Sequence, residues 1–169
     1  MEPPRFTLHL AALWYAGQGL HVFPLQRHSK KPWPRSHGLD EATTDADRIN
    51  AWWSKQPGAN IGIATGHLVD VIDFDGEKAH AAWGHHYPTW EDAQVHLLGT
   101  VSTPRPGGLH IYVTATGAGN VADLFGDKSG VDYRGIGGYV VAPPSVLDHQ
   151  DGQVAGSYRW LRPLGHADE

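Results

Sequence analysis

The run from Val69 to Phe74 is the most strand-like stretch of the chain, and Asp75 follows directly. Side chains alternate across a strand. Ile72 and Phe74 therefore point to one face, and Asp73 and Asp75 to the other. The apolar pair anchors the strand, and both carboxylates project together at its C-terminal end. Two neighbouring carboxylates repel unless a cation lies between them or one takes a proton. Hard divalent ions such as magnesium or manganese prefer such oxygen ligands. The bland alternative is a strand end with two solvated acids.

Around this strand the chain alternates between short helical and extended patterns. A helix is predicted over residues 6–18, with Leu8, Ala12 and Tyr15 on one stripe and Gly17 and Gly19 as the stop. A strand follows over 20–25, then a polar loop over 28–43 that holds Lys30, Lys31 and Pro32. A second helix begins after Thr44, read as its N-cap, and ends at Pro57 and Gly58. Ile49, Trp52 and Trp53 sit at helical spacing on its core side. Strands are predicted at 60–64, 99–103, 109–113, 131–134, 138–142 and 158–161. Helices are predicted at 77–86 and 90–98, and a loop at 117–130. This interleaving on one core predicts an α+β or mixed α/β fold, with 1–169 as a single domain.

Composition removes several classes. The chain has no cysteine, which excludes disulfides and thiolate zinc sites. The apolar stretch from Leu8 to Ala16 is too short to span a bilayer, and no secretory signal precedes it. The expectation is a soluble, cytoplasmic protein with no membrane partner. The net charge of -5 is awkward for a DNA-binding enzyme. Lys30, Lys31, Arg35, Arg105 and Arg134 are the candidates for a local basic patch.

Two further stretches carry chemistry. Thr103-Pro104-Arg105-Pro106-Gly107-Gly108 leads into Leu109 and His110. Two glycines let a backbone approach a ligand closely, and Arg105 is a natural phosphate binder. His110 shares a strand face with Tyr112, opposite Leu109, Ile111 and Val113, so it need not be core. The other reading is a hairpin turn with an exposed histidine. The stretch from Gly130 to Ser145 places Asp132 and Arg134 on opposite strand faces or around a bend. Asp132 completes a three-carboxylate site, or simply pairs with Arg134 at the surface. Asp70 is out of phase with Asp73 and Asp75. His85 and His86 are adjacent on a helix and face apart. Trp52, Trp53 and Trp83 read as core or half-buried residues.

Acid pair, histidine and single acid occur in that order, and the wording around them is specific. It includes Tyr15-Ala16, Phe23-Pro24-Leu25, Lys31-Pro32 and Ala42-Thr43-Thr44-Asp45. It continues through Trp52-Trp53, Pro57, Asn60-Ile61-Gly62-Ile63 and Thr65-Gly66 to Val131-Asp132-Tyr133-Arg134-Gly135 and Ala142-Pro143-Pro144-Ser145. Over roughly residues 8–161 the chain resembles the bifunctional primase-polymerase domain of the archaeo-eukaryotic primase superfamily. Pro106 lengthens the loop before the histidine by one residue relative to that family's usual wording.

The resemblance implies an RNA-recognition-motif-like catalytic sheet with an N-terminal α/β extension beside it. It matches Asp73 and Asp75 to the first motif, His110 to the second and Asp132 to the third. It implies template-directed nucleotidyl transfer on single-stranded DNA from nucleoside triphosphates. Asp73, Asp75 and Asp132 would hold two magnesium or manganese ions about 3.5–4 Å apart. His110, Arg105, Gly107, Gly108 and Arg134 would bind the nucleotide, with Lys31 a further phosphate or template contact. A C-terminal accessory or helicase domain often follows such a domain, in a chromosomal, phage or plasmid replication protein.

Rival readings are a glycosyltransferase, a rolling-circle nuclease and a non-catalytic replication module. The first needs a larger nucleotide-binding fold. The second needs two histidines alternating on one strand, which His110-Ile111-Tyr112 lacks. The third is disfavoured because all three acids and the histidine are present.

Overall fold

The computed structural model describes residues 7–165. Its elements are α1 (Leu8–Gly17), β1 (Val22–Leu25), a 3-10 turn (Gly38–Glu41), α2 (Ala46–Lys55), β2 (Asn60–Ala64), β3 (Val69–Phe74) and α3 (Glu77–His86). There follow β4 (Leu97–Ser102), β5 (Leu109–Thr114), β6 (Val131–Arg134), β7 (Tyr139–Ala142), β8 (Val146–Leu147), a 3-10 turn (Gln150–Gly152), β9 (Gly156–Ser157) and β10 (Arg159–Arg162). The fold is mixed α+β. The predicted helix start at residue 6 lies outside the described residues.

Two antiparallel sheets carry the architecture. The smaller runs β1-β2-β7 and the larger β10-β4-β5-β3-β6. Both faces of the larger sheet are covered. Ile72, Phe74, Ile111, Val113 and Val131 pack against Ala79 and Trp83 of α3. Val69, Val71, Val101 and Tyr112 face the other way, into a core shared with α1, α2 and the small sheet. Ile49 and Trp53 are buried there, and the Trp53 indole donates to the Ala59 carbonyl at 3.0 Å.

Local chemistry explains where predicted elements shift. Asp45, not Thr44, caps α2: its carboxylate accepts from the amides of Asp47 and Arg48. The helix predicted over 90–98 is absent. Thr89 and Asp92 bond each other reciprocally and close a turn, which Gln94 ends with a left-handed φ of 53°. The chain then enters β4 at Leu97, two residues before the predicted strand. β8, β9 and the two 3-10 turns carry no pattern that a sequence reading detects.

The small sheet is tied to the loops around the site by one amide. Asn60 is 1% exposed. It donates to the carbonyls of Ser29 and Val146, at 3.0 and 2.8 Å, and accepts from the Val146 amide. Asn60→Ala orphans all three backbone groups. We expect it to cost roughly 2 kcal/mol, read from denaturant midpoints. A change below a few tenths would show that water replaces the amide.

Candidate active site

The site grows from one row across the larger sheet. In register, Val101 of β4 pairs with His110 of β5, His110 with Asp73 of β3, and Asp73 with Asp132 of β6. Side chains opposite one another in adjacent strands lie close enough to interact. All four are on the sheet face turned towards the small sheet, near the C-terminal end of β3.

The charged members are interlocked. Arg134 lies two residues beyond Asp132 on the same face of β6. Its Nη2 is 2.7 Å from Asp132 Oδ2 and 3.4 Å from Asp73 Oδ2. Asp132 Oδ1 accepts from the Asp123 amide at 2.7 Å. The expected placement of Asp132 and Arg134 on opposite faces or around a bend is therefore corrected: β6 runs straight through both, and alternation puts them side by side. Asp75 lies just past the strand end, where the Arg105 Nε reaches its Oδ1 at 2.8 Å.

His110 is 6% exposed, which overturns the expectation of a histidine outside the core. The polar strand face is covered because the small sheet and the Tyr158 segment pack over it. The His110 and Tyr158 rings lie 5.6 Å apart, and His110 Nε2 is 3.6 Å from Asp73 Oδ1. Burial lowers the imidazole pKa from its ordinary value, and Asp73 opposes that shift.

The cleft has two connected lobes. Asp73, Asp75, Thr103, Arg105 and His110 line one, and Asp73, His110, Asn120, Arg134, Gly138 and Tyr139 line the other, of about 300 Å³. Lys30 and Tyr158 line both. Asn120, Tyr139 and Tyr158 reach the cleft from distant segments, and no local pattern announces them. Thr65-Gly66 supports the second lobe from behind: the Thr65 hydroxyl donates to the Gly135 carbonyl at 2.7 Å, and Gly66, at φ 89°, packs on the Ile136 backbone.

Several candidates fall elsewhere. Gly107 and Gly108 line neither lobe but an adjoining depression with Glu77 and His80, which shares Thr103, Pro104 and Arg105 with the first lobe. A side chain at Gly107 would meet Glu77, and one at Gly108 would meet the Thr103 hydroxyl. Tight packing of the chain on itself requires glycine at both positions. Lys31 is paired with Asp151 at 3.0 Å on the outside. Ser145 is fully buried and accepts from the Ile61 amide. Asp70 is also buried, and accepts from Tyr133 and Thr116. The expected basic patch is largely consumed by ion pairs at Lys31, Arg105 and Arg134.

Among the described residues, no three His, Asp or Glu side chains are grouped so as to hold a metal ion. Asp73 and Asp132 nevertheless have the right donor chemistry. They are register partners, and one cation, the Arg134 guanidinium, already bridges them.

The family model described as bifunctional DNA primase/polymerase, N-terminal, matches residues 12–169. The chain belongs to this family. No curated protein matches it. Membership implies DNA primase/polymerase activity in general, and with it a nucleotidyltransferase. No helix of this Prim-Pol domain, among the described residues, is long and apolar enough to cross a membrane.

Proposed function

We propose that this Prim-Pol domain makes or extends primers on single-stranded DNA by divalent-metal-dependent nucleotidyl transfer from nucleoside triphosphates. The observation that carries the reading is the row His110, Asp73, Asp132 across β5, β3 and β6, set beside a cleft with Arg105 and Arg134 at its walls. The strand order β4-β5-β3-β6, with α3 crossing from β3 to β4, supports an RNA-recognition-motif-like catalytic sheet. The chain between β5 and β6 is loop where such a sheet would carry a second helix.

In the reaction, a 3′-hydroxyl oxygen bonds to the α-phosphorus of the incoming nucleotide. The bond to pyrophosphate breaks, and the hydroxyl proton is lost. Asp73 and Asp132, joined by Asp75, are the residues that would hold magnesium or manganese. Such ions activate the attacking oxygen and neutralise the leaving pyrophosphate. Arg105 and Arg134 supply fixed positive charge on either side of Asp73, suited to phosphate oxygens. His110 donates through Nε2 to a phosphate oxygen as negative charge builds there, and burial preorganises that donor. The domain works in the cytoplasm, joined in a longer replication protein to a C-terminal accessory or helicase domain that adds DNA affinity.

The test is template-dependent incorporation, with ribonucleotides and deoxynucleotides in separate reactions and with magnesium or manganese added or chelated. Incorporation that survives chelation would reject the metal-dependent reading. Protein that binds a template but incorporates nothing would favour a non-catalytic module. His110→Ala is expected to weaken nucleotide binding about 10-fold while sparing manganese affinity without nucleotide. The reverse pattern, in separate titrations, would make His110 a metal ligand.

A further inference from the structure

The sequence offers two adjacent lysines, and the structure separates them. Lys31 is tied to Asp151 on the outer surface. Lys30 lines both lobes of the cleft. Its ammonium forms no ion pair among the described residues. We propose that Lys30, held at the seam of the two lobes opposite Asp73 and His110, is a phosphate-gripping residue of the nucleotide site, supplied by the N-terminal part of the chain. The inference rests on the nucleotidyl-transfer reading above.

Three observations carry it. The first is placement. Asp73, His110 and Tyr158 are the other residues common to both lobes. A ligand that spans the lobes must therefore pass Lys30.

The second is rigidity of the turn that presents it. Tyr139 donates its hydroxyl to the Lys30 carbonyl at 2.9 Å. Asn60 holds the Ser29 carbonyl, and the Gln26 backbone N–H donates to the Lys31 carbonyl at 2.8 Å. The Lys31 amide donates to the Ser29 hydroxyl, and Ser29 is buried. The backbone at Lys30 is thus clamped by β2 and β7, while the side chain stays exposed. A flexible stem on a fixed base suits an ammonium that must follow a polyphosphate.

The third is charge. Asp73, Asp75 and Asp132 meet only two guanidiniums, Arg105 and Arg134, both already paired with these acids. Lys30 is the one cation of the cleft, among the described residues, with no carboxylate to give up. A template contact would place such a lysine on an open face. Lys30 instead faces a cleft of nucleotide dimensions beside the acids.

The experiment compares wild type, Lys30→Ala, Lys30→Arg and Lys31→Ala. Two probes are titrated, a nucleoside triphosphate and inorganic tripolyphosphate, alongside melting temperature and template-dependent incorporation. Lys30→Ala should weaken both probes about 10-fold with an unchanged melting temperature. Lys30→Arg should recover most of that loss, and Lys31→Ala should change either affinity less than twofold. Wild-type affinity for both probes in Lys30→Ala overturns the proposal. So does a loss confined to the nucleoside triphosphate, which would move Lys30 to the sugar or base. If wild type incorporates normally and only the Lys30 effect is missing, this inference alone fails. A wild type that neither binds triphosphate nor incorporates overturns the parent reading with it.

Discussion

Asp73→Ala should abolish nucleotide incorporation, by on the order of 10³-fold or more, and leave the fold standing. Asp73 is the centre of the catalytic row. It is the register partner of both His110 and Asp132, lines both lobes of the cleft, and shares Arg134 with Asp132. No other carboxylate among the described residues has those three relations. Removing it takes away the oxygen donors nearest His110 and leaves Asp132 facing Arg134 alone.

The stability effect should be small. Asp73 is partly exposed, and its contact with Arg134 at 3.4 Å is the longer of the two that Arg134 makes. A weak ion pair of this kind contributes up to about 1 kcal/mol. Arg134 keeps a partner at 2.7 Å in Asp132, so no charge is stranded. The measurement is single-turnover incorporation, paired with a denaturant melt. Activity within tenfold of wild type would remove Asp73 from the catalytic assignment. Loss of the folded state would make its role structural.

What the sequence makes legible follows from which forces are local. Strand phase is local, so β3 and the face that Asp73 takes can be read from alternation, whereas Asp75 lies past the strand end and pairs with Arg105. α3 can be read from residues 77–86 alone, and its bounds agree. Burial of a strand face is not local. A polar face on β5 looks exposed until the small sheet and Tyr158 are placed over it, and hence the sequence alone puts His110 outside the core. The two glycines before it illustrate a similar limit. Glycine signals a close approach, but not what approaches. Here it is Glu77 and Thr103 of the same chain. Lys30 and Lys31 are indistinguishable as letters. The turn hydrogen bonds and the distant Asp151 decide which one faces the cleft.

Arg134→Ala is the second large effect we expect, and it tests the acids rather than the nucleotide. The guanidinium reaches Asp132 at 2.7 Å and Asp73 at 3.4 Å, and these two acids are direct register partners. Without it, two partly buried carboxylates stand side by side with no cation between them. Like charges directly opposite in a sheet are destabilising. The loss should be about 1–3 kcal/mol, since none of the three side chains is fully desolvated. Incorporation should fall about 10²-fold, because a fixed positive charge beside Asp73 is gone. The informative readout is metal-linked stability. Anything that binds the folded state alone raises its melting temperature. Vacating the space between Asp73 and Asp132 removes a competitor for a divalent ion. Millimolar manganese should therefore raise the melting temperature of Arg134→Ala more than that of wild type, and recover part of the stability lost. The conservative variant Arg134→Lys should behave like wild type in this assay, because an ammonium still neutralises the pair. An equal manganese response in Arg134→Ala and wild type would show that the ion binds elsewhere, and that Asp73 and Asp132 are a structural ion pair with Arg134.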